Sequence, residues 1–397
     1  WLDAQGDEWR RQLKVGDVLL IIDVGGGTSD FSLVGVSDEG GELKLERLAV
    51  GDHILLGGDN MDLALAFTLH EKLKAQGKTL DTWQLAALTA ACRGAKEALT
   101  LDATLPKAAV SVPGRGSSLV GGTLKTELTR EELDRVLVEG FFPKTAVTEL
   151  PQQARRSGLA QVSLPWAQDA AITRHLAAFL ARQATSLGLA HGFARPTAVL
   201  FNGGVFKATA LRARVLETLG AWLQADGAPP ARELPGADLD LAVARGAAYY
   251  GWVKAGHGIR IRGGTAQAYY VGVESAGLAV PGFTPPVKAL CVAPFGMEEG
   301  TEADVPPQEF GLVVGEPTRF RFFTSSTRRE DTVGTLLDDA SVLEELPAIE
   351  TELSGAGGSL VPVNLQAAVT ELGALEVRCL ERGGQGRWKL ELNVRQD

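Results

Sequence analysis

VLLIIDVGGGTSD, residues 18–30, sets an unbroken apolar run against an aspartate and three consecutive glycines. Val18–Ile22 carries no polar residue, the pattern of a strand buried on both faces. Asp23 is delivered to the end of that strand. Gly25, Gly26 and Gly27 have no Cβ, so their N–H groups can close on an anion. Thr28 adds a hydroxyl donor. Asp23 and Asp30 add carboxylates able to hold magnesium through water, since magnesium prefers oxygen ligands and keeps several waters. The plainer alternative is a tight hairpin with a solvated aspartate. Three glycines in a row cost more chain entropy than an ordinary turn needs, which favours phosphate binding. The spacing is neither GxxxxGK[ST] nor GxGxxG.

Strand character resumes at Phe31–Val36, and Glu42–Val50 gives a third strand. Gly57 and Gly58 introduce a helix from Asp59 to about Ala75. Leu85, Leu88, Cys92, Ala95 and Leu99 recur at three and four residues on one face of a second helix, 82–99. Strands follow at Lys107–Val112 and Ser118–Leu128, and Thr129 with Glu132 has capping-box spacing. Residues 142–168 read as irregular, and a helix follows with Ile172, Leu176, Phe179 and Leu180 on its apolar side. Thr197–Phe201 is another apolar strand. It runs into Asn202-Gly203-Gly204 and then a helix through Leu211, Val215, Leu219 and Trp222. A glycine turn at a helix N-terminus suits a phosphate, although a plain strand-to-helix turn has the same look. The last helix of this region spans Leu239–Val253.

Near residue 257 helical periodicity ends, which predicts domains at 1–256 and 257–397. Strands are expected at Gln267–Val273, Ala289–Ala293, Phe310–Val314 and Arg319–Phe323. Leu375, Val377 and Cys379 alternate with polar residues, as do Trp388, Leu390 and Leu392, across a glycine-rich turn. An antiparallel β-sandwich is the expected architecture.

The chain has 397 residues, 39 Lys plus Arg against 49 Asp plus Glu, and a formal charge of −10. That balance argues against a broad nucleic-acid or acidic-lipid surface. No apolar run approaches the ~20 residues that span a bilayer. Cys92, Cys291 and Cys379 form no CxxC pair, which fits a reducing cytoplasm. The histidines show no metal-ligand spacing. His53 reads as structural. The start at Trp1, with polar residues to Asp17 and then an immediate strand, reads as a cut inside a longer protein.

Six segments together resemble one family. DVGGGTSDFSLVGV (23–36), VGDHILLGGDNMD (50–62), ACRGAKEALT (91–100), LTREELDRVL (128–137), LFNGGVFKATALRARV (200–215) and DLAVARGAA (240–248) are similar, in order, to motifs of DnaK-like seventy-kilodalton heat-shock chaperones. The resemblance implies a partial actin-like, ribonuclease H-like ATPase domain, with two glycine corners from separate sheets closing on one triphosphate. It implies ATP or ADP with magnesium as cofactors, and unfolded polypeptide and co-chaperones as partners. It places Asp23 and Asp30 near magnesium, and Gly25, Gly26, Gly27 and Thr28 on the terminal phosphates. Gly203 and Gly204 would meet the inner phosphates and adenosine. Lys96 and Thr100 would face the ribose or adenine, with Lys207 nearby and Asp240 near the purine.

The sequence departs from the family at several positions. Arg93 stands where the family has an acid, and Glu97 where it has an arginine that stacks on adenine. The pair would keep an i,i+4 salt bridge, whether solvated or at the ligand. Val205 replaces a serine and Lys207 an arginine. The family's first lobe would precede Trp1, so this piece is expected to be a deficient ATPase. A sugar or metabolite kinase of the same superfamily and a non-catalytic scaffold are the alternatives.

Overall fold

Two short helical turns, α1 (Leu2–Gln5) and α2 (Trp9–Gln12), lead into β1 (Val18–Val24), β2 (Ser29–Glu39) and β3 (Glu42–Val50). This computed structural model describes residues 1–114, 122–152, 167–186, 192–236, 238–261, 263–265, 267–274, 287–306, 310–325, 327–328, 330–370 and 374–393. Then come α3 (Gly58–Ala75), α4 (Thr82–Leu101), the hairpin β4 (Lys107–Val112) and β5 (Leu124–Thr129), and α5 (Arg130–Val136), which runs into a π-helical turn at Leu137–Phe141. α6 (Ile172–Ser186), β6 (Ala198–Asn202), α7 (Thr209–Ala225), β7 (Arg232–Glu233) and α8 (Ala242–Lys254) complete a first compact unit, Trp1–Arg260.

Its main sheet has the order β3-β2-β1-β6-β7. β1 runs antiparallel to β2 and parallel to β6, and β7 runs parallel to β6. The apolar run of β1 is explained by this central place. Leu20, Ile22 and Val24 enter a core shared with α3, α4, α6 and α7, while Leu19 meets Trp9, Leu13 and Leu234 on the other face. Each such buried Leu or Ile contributes about 1.5–3 kcal/mol relative to exposure. The starts of β1, β6 and β7 meet at one polar clamp. The buried carboxylate of Asp17 accepts from Lys14 N (2.9 Å), Thr197 Oγ1 (2.8 Å) and Arg232 Nη2 (2.6 Å). Burial alone would raise the Asp17 carboxyl, but these donors bring it below its ordinary 3.8.

Several expected bounds shift. The strand expected at Ser118–Leu128 begins at Leu124, and 115–121 lie outside the described residues. The last helix of the unit starts at Ala242 rather than Leu239, because Asp238 Oδ1 accepts from the N–H groups of Asp240 and Leu241 and holds a turn there. Among the described residues no helix is long and apolar enough to cross a membrane.

Among its described residues the second unit, Ile261–Asp397, has strands as its regular elements apart from one 3-10 turn at Ala340–Val342. It holds β8 (Ala268–Val273), β9 (Lys288–Ala293), β10 (Thr301–Asp304), β11 (Phe310–Val314), β12 (Pro317–Phe320), β13 (Phe322–Ser325), β14 (Leu336–Leu337), β15 (Glu344–Glu345), β16 (Ile349–Glu352), β17 (Ser359–Val369), β18 (Ala374–Glu381) and β19 (Arg387–Asn393). One sheet has the order β14-β9-β8-β13-β15. A second has β10-β17-β18-β19, with β11 also on β17, and β12 with β16 forms a separate two-stranded sheet. Val271, Leu290 and Phe322 of the first sheet share a core with Val363, Val377 and Leu390 of the second. The single strand expected at Arg319–Phe323 is in fact two. β12 pairs with β16, β13 pairs with β8, and Arg321 between them turns out to Glu345 at 2.7 Å.

Candidate functional site

Parallel pairing of β1 with β6 puts Asp23 opposite Asn202, so both strands release their glycine turns at the same sheet edge. Asn202 Nδ2 donates to Asp23 Oδ2 at 2.7 Å. Gly203 sits at φ +86°, and a Cβ there would lie 2.2 Å from Val24 O and 2.7 Å from Asp23 Oδ1. Only glycine fits a left-handed backbone packed this closely. The two corners therefore touch. They also belong to one sheet, which corrects the expectation of separate sheets: β6 lies beside β1 because both are apolar on two faces and need central places.

The pair Gly57-Gly58 locks the first turn. Gly58 N donates to Gly25 O at 3.0 Å and Asp59 N to Gly26 O at 2.7 Å. A Cβ on Gly57 would come within 2.6 Å of Gly26 O. The N-terminal N–H groups of α3 are thus satisfied by the turn's carbonyls. Those carbonyls point toward α3. The N–H groups of Gly26, Gly27 and Thr28 have no backbone acceptor among the described residues, and Gly26 and Gly27 are exposed. Main-chain N–H groups left without a backbone acceptor at an exposed glycine turn are the raw material of an anion cradle.

Two carboxylates flank the cradle. Burial raises Asp23 above its ordinary value, the Asn202 donor lowers it, and the charge of Asp30 raises it again. Asp30 accepts from Thr28 Oγ1 at 3.1 Å and pairs with His53 Nδ1 at 2.7 Å. His53 thus touches a site residue, a role that its sequence context did not signal. Among the described residues no group of three His, Cys, Asp or Glu side chains converges on a metal position. A donor set of two spaced carboxylates suits magnesium held through water and phosphate rather than caged by protein.

Lys96 reaches the corner from α4. Its Nζ lies 3.2 Å from Gly58 O and 2.7 Å from Asp62 Oδ1, the latter an ion pair with poor hydrogen-bond geometry. Arg93 does not pair with Glu97. Its Nε donates to Asp62 Oδ2 at 3.0 Å and its Nη2 to Asp59 Oδ1, because α3 packs alongside α4. Asp59 and Asp62, the partners that fix this charge network, carry no signal of that role in the sequence. Pairing across helices leaves no spacing signal along either one.

The remaining expected residues lie further out. Gly204 opens a 3-10 turn, Gly204–Lys207, that ends with Lys207 bonded to Asp240. Thr100 donates to Glu97 O at 3.0 Å and lines a cavity of about 60 Å³ with Arg130, Leu137 and Ala208. The structure thus gathers Asp23, Gly25–Thr28, Asp30, Lys96 and Gly203 at one edge. It pairs Lys207 with Asp240 and sets Thr100 beside a separate hollow.

Residues 11–154 match the family model described as Hsp70 protein. The match takes in the first glycine turn, the Gly57–Gly58 pair and α4. The second corner lies beyond it and enters the site through its contact with Asp23.

Proposed function

We propose, from the premise that this chain is an Hsp70-like family member, that its first unit binds ATP or ADP with magnesium and that the protein acts as a nucleotide-regulated chaperone. The observation that carries this reading is the meeting of the two glycine corners at Asp23, Asn202 and Gly203. In it the N–H groups of Gly26, Gly27 and Thr28 receive the terminal phosphates. Asp23 and Asp30 hold the hydrated cation, which when bound neutralises phosphate charge. Gly203 and Gly204 take the inner phosphates and adenosine, with Lys96, Thr100, Lys207 and Asp240 on the nucleoside side.

Hydrolysis is expected to lag behind binding. Phosphoryl transfer needs several groups that stabilise developing charge at once, and both lysines beside the corners are already ion-paired. The second unit, read as a β-sandwich, takes unfolded polypeptide, with co-chaperones as further partners. Free, buried cysteines at 92, 291 and 379 support a cytoplasmic setting.

The test is calorimetric titration with ATP or ADP plus magnesium, followed by an unfolded peptide. Saturable nucleotide binding, and peptide affinity that changes with nucleotide, is the expected result. Absence of nucleotide binding rejects the reading.

A further inference from the structure

Asp59 sets a carboxylate beside the first glycine turn, whose Gly26 and Gly27 N–H groups have no backbone acceptor among the described residues. Its Oδ1 stands 3.8 Å from the position a Cβ on Gly26 would take. A phosphate on the Gly26 and Gly27 N–H groups would meet that charge at close range. The main-chain bond from Asp59 N to Gly26 O does not require the carboxylate. A first-turn acid does stabilise its helix slightly through the dipole, but that gain is the same with and without ligand. The carboxylate's partner is the Arg93 guanidinium of α4. This pair lies open, with side chains 56% and 62% exposed, so the fold depends on it little. The buried Asp62 differs: Lys96 holds it as well, and it stays neutralised if Arg93 is removed.

We propose that the Asp59–Arg93 pair sets the charge at the phosphate turn, so that its two members tune terminal-phosphate affinity in opposite directions. Asp59 opposes the anion, and Arg93 cancels Asp59. The inference rests on reading the turn as a phosphate site. A pair kept only for stability would give losses of the same sign from either side.

The test compares the full chain with Asp59→Asn, Arg93→Ala and Arg93→Lys, titrating ATP with magnesium and, separately, inorganic tripolyphosphate. Asp59→Asn should bind about tenfold more tightly and Arg93→Ala about tenfold more weakly, as a unit charge a few ångströms from the ligand implies. Arg93→Lys should stay near wild type, and all differences should shrink in ~0.5 M salt. Changes of the same sign in Asp59→Asn and Arg93→Ala, or no change, overturn the proposal. Wild-type protein that binds neither ligand removes the nucleotide reading itself, and this inference with it.

Discussion

Asp23 shows how a single residue of a candidate site can oppose stability. Burial raises its carboxyl above 3.8. A carboxyl raised in the folded state holds its proton more firmly folded than unfolded. Stability therefore falls as pH climbs from 3.8 through the raised value, and at neutral pH the ionised group is a net cost. Asp23→Asn should raise the melting temperature of the ligand-free protein by about 2–4 °C, because the amide can still accept from Asn202. The same change should weaken binding of ATP with magnesium. A scanning calorimeter and a titration on one preparation check both, and a drop in melting temperature would refute the first. Asp23 and its glycines were legible in the sequence because an acid at a strand end and a missing Cβ are local chemistry. The Asn202 bond was not, since it joins residues that only the sheet brings together.

Among elements, the junction of α3 with the first glycine turn leaves no room for a side chain at Gly57. Gly57→Ala would force a methyl to within 2.6 Å of Gly26 O and 2.8 Å of Gly25 O. Overpacking of this kind costs about 1–3 kcal/mol, which urea denaturation would detect. Gly204→Ala is the control, since a Cβ there has nothing within 4 Å; equal losses in both variants would contradict the account. Most elements of the first unit followed from periodicity and caps. β3 has the bounds that its sequence predicts, and the Thr129–Glu132 capping box forms as spaced. The division between β12 and β13 was hidden because Arg319–Phe323 keeps strand composition while changing partner strands. Burial pattern follows composition, but pairing depends on where the partners lie.

The whole molecule comprises two compact units, 1–260 and 261–397, each with its own cores. Calorimetry should resolve two unfolding transitions, and ATP with magnesium should raise only the one belonging to the first unit, since a ligand stabilises what it binds. A shift of both would show that the units unfold together. Pairing of Asp23 with Asn202 also has a consequence for synthesis, because 179 residues separate them. At about 5–20 residues per second, the opening hairpin waits on the order of ten seconds or more for β6 to emerge. Until then the inner edge of β1 is bare backbone beside greasy side chains, the kind of edge that recruits stray strands. Shielding that edge from neighbouring chains during synthesis would therefore favour correct closure of the sheet.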